Sequence, residues 1–141
     1  MAVFGEHTRF EQYDEIYISP HLDDAVYSCG GRIAQQRKRG VRVLVVTLFG
    51  DGSSQPVSKL ADKFSDYESR RNEDRAATAR VDADCLWFNY PDFVFRRPSL
   101  GDVMRIAFPF MKLPPTALQS DILRDVLALC EARLAMGGRV I

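Results

Sequence analysis

The chain has 141 residues, 46% of them hydrophobic, which is enough for one packed domain. Its 19 basic residues balance 19 acidic ones, and that neutrality argues against an electrostatic grip on nucleic acid or an anionic membrane. No apolar run approaches the roughly 18 residues of a spanning helix, and Met1 to Glu15 holds no apolar signal core.

Met1 to Asp14 is a polar lead-in with Phe4, Phe10 and Tyr13, expected to pack loosely at the domain edge. His7 within it reads as a surface histidine. Ile16 to Ser19 is a β-branched and aromatic run, expected to be a buried strand that Pro20 ends. From Val26 the period changes, and Val26, Cys29, Gly30, Ile33 and Ala34 fall on one helix face. Between strand and helix stand His21, Asp23 and Asp24. They occupy the loop at a strand's carboxyl end, where open α/β sheets bind ligands. His21 and Asp24, three positions apart, can bite one metal ion from a single turn. Imidazole with carboxylate suits Zn²⁺ or a neighbouring divalent transition metal. Asp23 can then stay off the ion and take a proton from its bound water. The competing reading is an ordinary helix start, with Asp24 as the N-cap, Asp23 near the positive helix end and His21 a loop residue. Three such groups together, after a buried strand and before Gly30-Gly31, favour the metal site. The two glycines are expected to let helix and sheet approach closely.

Gln35 to Gly40 ends the helix, with basic residues near the carbonyl end and Gly40 as the left-handed exit. Val41 to Phe49 is the clearest strand, and its nearly continuous apolar run predicts burial on both faces of a parallel sheet. Gly50 to Pro56 is a glycine-rich loop on the rim of the same edge; it lacks the lysine and glycine spacing of a phosphate loop. Lys59 to Asp82 is polar and mostly helical, with Glu73, Ala76, Ala77 and Arg80 on one face. Arg70 and Glu73 have the spacing of an intrahelical ion pair. Cys85 to Tyr90 reads as a third buried strand closed by Pro91-Asp92, which also suits a turn. Phe93 to Pro115 is either a lid or substrate wall or a surface excursion. Thr116 to Gly138 is an amphipathic helix whose stripe of Ile122, Val126, Leu129 and Cys130 is widened by Leu123, Leu127 and Leu134 toward the sheet. Arg139 begins a fourth strand. Cys29, Cys85 and Cys130 stand singly, which reads as reduced thiols in a cytoplasmic protein.

Ser19-Pro-His-Leu-Asp-Asp24 followed by Ser28-x-Gly-Gly31 resembles the signature of the PIG-L/LmbE-like family. Its members are metal-dependent, usually zinc-dependent, de-N-acetylases of N-acetylglucosamine-containing compounds. The resemblance runs from about Glu15 to the last residue, and only this first motif is highly specific. It implies that His21 and Asp24 are metal ligands and Asp23 the general base. The run from Arg70 to Ala77 is similar to the family's second helix, which implies a substrate contact for Arg70. The family's following Leu-Gly is replaced by Val81-Asp82. Asp92 matches an aspartate that hydrogen-bonds sugar hydroxyls in the family. Relatives carry one or two histidines beyond the fourth strand, whereas here no histidine follows His21. Residues 1–141 are therefore expected to be a single α/β domain, the N-terminal portion of a longer deacetylase domain.

The expected architecture is a three-layer α/β/α Rossmann-like, LmbE-like sandwich with a mainly parallel sheet. The first strand is central, flanked by the second and fourth, with the third beyond the second. The expected activity is hydrolysis of an N-acetyl amide on a small-molecule amino-sugar substrate, with Arg70 and Asp92 placing the sugar. Neither nucleic acid nor membrane is expected as a partner; the protein partner is either a second copy or a complementing C-terminal segment. Two alternatives stand beside it, a non-catalytic sugar- or nucleotide-binding module and one half of a split deacetylase.

Overall fold

The computed structural model describes residues 10–51, 66–92, 100–107, 110 and 114–141. A 3-10 turn, Phe10–Gln12, leads into β1, Glu15–Ser19. There follow α1 (Asp24–Lys38), β2 (Val43–Thr47), α2 (Tyr67–Arg80), β3 (Asp84–Trp87), α3 (Leu100–Ala107), α4 (Ala117–Leu134) and β4 (Arg139–Val140). The strands form one sheet in the order β3-β2-β1-β4, with all three neighbouring pairs parallel. This is the strand order read from the sequence.

Side chains alternate across a strand, so each strand feeds two cores. Ile16, Leu44 and Val46 join Phe88, Tyr90 and Leu129 on one face, where Leu118 and Ile122 of α4 also pack. Tyr17, Val43 and Val45 join Ala25 and Ile33 of α1 on the other, together with Ala83 after α2. All five residues of β2 are buried, as a central parallel strand with helices on both faces requires. The result is three layers. From β1 the chain steps to β2 and β3 in one direction, then returns to place β4 on the opposite side of β1. Strand order reverses at β1, so the loop after β1 opens into the switch-point crevice.

Several local expectations change. Tyr13 of the lead-in is buried in the core rather than loosely placed, and its hydroxyl donates to Asp84 at 2.9 Å. Phe4 and His7 lie outside the described residues. The third strand is at the sheet edge and only half-buried, because nothing pairs with its outer side among the described residues. In α4 the central stripe of Leu129, Ile122 and Val126 faces inward, but Leu123 and Leu134 are 55% and 59% exposed. The excess leucines widen the apolar stripe beyond the arc that the sheet covers. Most of the 93–115 segment lies outside the described residues. Gly40 does leave α1 in the left-handed region, at φ +81°.

The Gly30-Gly31 expectation is also corrected. A Cβ on Gly31 meets nothing within 4 Å, and one on Gly30 meets only Val26 and Val81 at ordinary contact distances of 3.4 and 3.8 Å. Close approach to the sheet is not what these glycines provide. Gly31→Ala is therefore expected to stabilise the domain by about 0.5–1 kcal/mol, since glycine in a helix interior carries extra backbone entropy. The readout is a higher urea midpoint at unchanged slope. A lower midpoint would show that the exposed side of α1 has no room for a methyl group.

Candidate active site

The β1–α1 loop is stapled from below by Ser19, a buried residue at the end of β1. Its hydroxyl donates to the carbonyl of His21 at 2.8 Å and accepts the amide of Ala25 at 3.1 Å. The helix starts at Asp24, so Asp24 is not its cap. Asp23 holds the N-cap position, with φ 69° and ψ −18°, and its side chain makes no capping hydrogen bond. An N-cap normally has extended backbone and a bonded side chain. Asp23 has neither, so neither aspartate caps the helix through its side chain, while both still lie at its positive end.

His21 stands between two carboxylates. Its Nδ1 is 3.1 Å from Oδ2 of Asp24, and its Nε2 is 3.5 Å from Oδ2 of Asp92. The imidazole lies stacked on Phe49, with centroids 5.6 Å apart and an interplanar angle of 30°. His21 and Asp24 side chains are 43% and 50% exposed, so the pair faces open solvent. Zinc bonds of about 2.0–2.2 Å to nitrogen and oxygen place tetrahedral ligands roughly 3.3 Å apart. The observed separation of 3.1 Å is close to that distance and is also that of a hydrogen bond, and the donor types suit zinc. Two donors are what the described residues bring together; they contain no cluster of three or more histidine, cysteine, aspartate or glutamate side chains able to hold a metal.

Asp23 and Arg70 belong to the same corner. Burial raises the Asp23 carboxyl above its ordinary value, and the negative charges of Asp74, Glu73 and Asp24 add to this, while Arg70 pulls it back down. The Arg70 guanidinium lies 5.2 Å from the ring centroid of Tyr67. Tyr67 itself is raised by burial first and then by the charges of Asp92 and Asp51, which places both carboxylates near the same wall. All five residues read from the sequence, His21, Asp23, Asp24, Arg70 and Asp92, thus belong to the carboxyl edge of the sheet.

Other residues of this corner were not legible in the sequence. Arg71, beside Arg70, donates through Nε at 2.8 Å and through Nη2 to the carbonyl of Gly50, and through Nη2 to Oδ1 of Asn89 at 3.1 Å. Gly50 is needed there, because a Cβ would lie 2.9 Å from both the Phe88 carbonyl and Trp87 Cβ. Asp74 is 1% exposed although it sits in the most polar stretch of the chain. The buried positions of α2 are Tyr67, Asp74 and Thr78, so its inward side is largely polar. A search for apolar periodicity passes over such a face; the helical spacing of Arg71, Asp74 and Thr78 is the only signal.

Residues 16–132 match the family model described as PIG-L: GlcNAc-PI de-N-acetylase. No curated protein matches the chain. Among solved structures, the zinc-inhibited form of teicoplanin deacetylase Orf2 is 32% identical with a TM-score of 0.55, over 59% of this chain and 35% of that one. The A40926 pseudoaglycone deacetylase Dbv21 is 28% identical with a TM-score of 0.58, over 83% of this chain and 47% of that one. The N,N'-diacetylchitobiose deacetylase from Pyrococcus horikoshii is 18% identical and shares the fold at a TM-score of 0.51, over 93% of this chain and 55% of that one. The chain spans between 35% and 55% of the length of these structures. Among the described residues, no helix is long and apolar enough to cross a membrane.

Proposed function

The chain belongs to the PIG-L family of GlcNAc-PI de-N-acetylases, and from that premise we propose that it serves a metal-dependent hydrolase that removes the N-acetyl group from an N-acetylglucosamine-containing or related small amino-sugar substrate. The observation that carries this reading is the His21 Nδ1 to Asp24 Oδ2 pair at 3.1 Å, with the uncapped Asp23 between them in sequence. His21 and Asp24 would hold the ion. A bound Zn²⁺, or another divalent transition metal, supplies Lewis acidity that polarises the amide carbonyl and lowers the pKa of water beside it.

Asp23 accepts a proton from the attacking water as the water oxygen bonds to the acetyl carbon. It returns that proton to the amine nitrogen as the C–N bond breaks, releasing acetate and the free amino sugar. The neighbourhood of Asp23 supports this role, since burial and surrounding carboxylates favour a group able to hold a proton transiently. Arg70 and Asp92 place the sugar from α2 and from the segment that follows β3.

Zinc titration of the metal-free protein, followed by acetate-release assays on N-acetylated amino sugars, tests the reading. Wild type is expected to bind about one equivalent, and His21→Ala to weaken binding by 100-fold or more, given roughly three protein ligands at a catalytic zinc. Saccharide binding with no metal uptake and no acetate release would instead identify a sugar-binding module.

A further inference from the structure

We propose that Asp74 is a positioning residue that keeps Asp23 from becoming an ordinary helix cap. The inference rests on the deacetylase reading for its catalytic meaning, though not for its structural content. Asp74 is 1% exposed, in the middle of α2. A carboxylate removed from water needs hydrogen bonds to its oxygens. Here Oδ1 accepts the backbone N–H of Asp23 at 2.8 Å, and Oδ2 accepts the indole N–H of Trp87 at 2.6 Å. Trp87 is held in turn from α2, with the guanidinium carbons of Arg75 and Arg71 at 4.8 and 5.3 Å from its ring. One carboxylate therefore ties the β1–α1 loop, α2 and β3 together.

The consequence lies in the backbone of Asp23. A free aspartate ahead of a helix relaxes to extended φ/ψ, and its carboxylate then accepts an amide of the first turn. That arrangement would turn the carboxylate toward the helix amides and engage one of its oxygens. At φ 69° the residue is in the left-handed region, which aspartate tolerates better than most residues but which is not the extended backbone of an ordinary N-cap. The bond from its amide to Asp74 holds it there, and the missing cap bond is the result.

Asp74→Ala and Trp87→Phe separate positioning from mere tethering. Each removes the indole bond, and only the first frees the Asp23 amide. In Asp74→Ala, exchange of the Asp23 amide with solvent, followed by NMR, is expected to accelerate by about tenfold or more. Turnover should fall by roughly 100-fold with little change in KM. In Trp87→Phe, both quantities should stay near wild type while the denaturation midpoint drops. Should Asp74→Ala not fold, Asp74→Asn in the Trp87→Phe background leaves one amide oxygen for the Asp23 N–H and should exchange and turn over like Trp87→Phe alone.

A freely exchanging Asp23 amide in wild type, or equal losses of turnover in Asp74→Ala and Trp87→Phe, would overturn the assignment. A wild type that releases no acetate would overturn the deacetylase reading instead, while the exchange comparison would still decide whether Asp74 holds Asp23.

Discussion

Asp23→Asn is expected to cut turnover by about 10²–10⁴-fold while leaving zinc affinity near wild type. Asparagine has the same shape and tolerates the left-handed backbone as well as aspartate does, so the loop at φ 69° can persist. The Asp23 side chain supports no helix cap, so that structural contact is not at stake. What the substitution removes is an oxygen able to accept and return a proton. The matching control is Asp24→Ala, which should lose metal affinity first, because Asp24 Oδ2 faces His21 Nδ1. Measuring kcat/KM together with bound zinc in both variants separates the two roles. Undiminished turnover in Asp23→Asn would remove this residue from the chemistry, whatever the metal does.

The largest effect on stability is expected at Asp125. This carboxylate is 2% exposed on α4 and accepts the Tyr90 hydroxyl at 2.5 Å across the interface with the sheet. Its other oxygen accepts Arg124 Nε at 3.1 Å. Asp125→Ala leaves the buried Tyr90 hydroxyl without that acceptor and opens space beneath the helix. A loss of about 2–4 kcal/mol in unfolding free energy is expected from denaturant curves. Tyr90→Phe should cost less, about 1–2 kcal/mol, because Asp125 keeps Arg124. A loss below about 0.5 kcal/mol in Asp125→Ala would mean that the carboxylate's own burial cancels the bond.

The same contact predicts sensitivity to alkali. Burial raises the Tyr90 phenol above its ordinary value of 10, and the hydrogen bond to Asp125 and its charge raise it further. The folded state thus favours the protonated phenol. Its contribution is complete below pH 10 and is lost as pH climbs from there toward the raised folded value. Tyr13, Tyr17 and Tyr67 are shifted in the same direction by burial, so Tyr90→Phe should flatten the alkaline slope without abolishing it. An unchanged slope would show that Tyr90 ionises as readily folded as unfolded.

Much of this molecule is local chemistry and could be read along the chain. Continuous β-branched runs mark β1 and β2, the change to helical spacing marks α1, and Gly40 marks its end. The group His21, Asp23 and Asp24 spans four consecutive positions, so its convergence follows from a single turn of backbone. The strand order expected with the family resemblance is also the one observed.

Tertiary structure alone decided the rest. The Asp23–Asp74 bond joins positions 51 apart, and His21 meets Asp92 because the segments that leave β1 and β3 lie at one edge of the sheet. Leu123 and Leu134 look like core residues in sequence but face outward, whereas Asp74 and Asp125 look like surface residues but are buried. The reason is physical. Apolar burial leaves a period in the chain that carries it, but a buried polar group is stable only through partners on other elements, and the sequence around it records nothing of them.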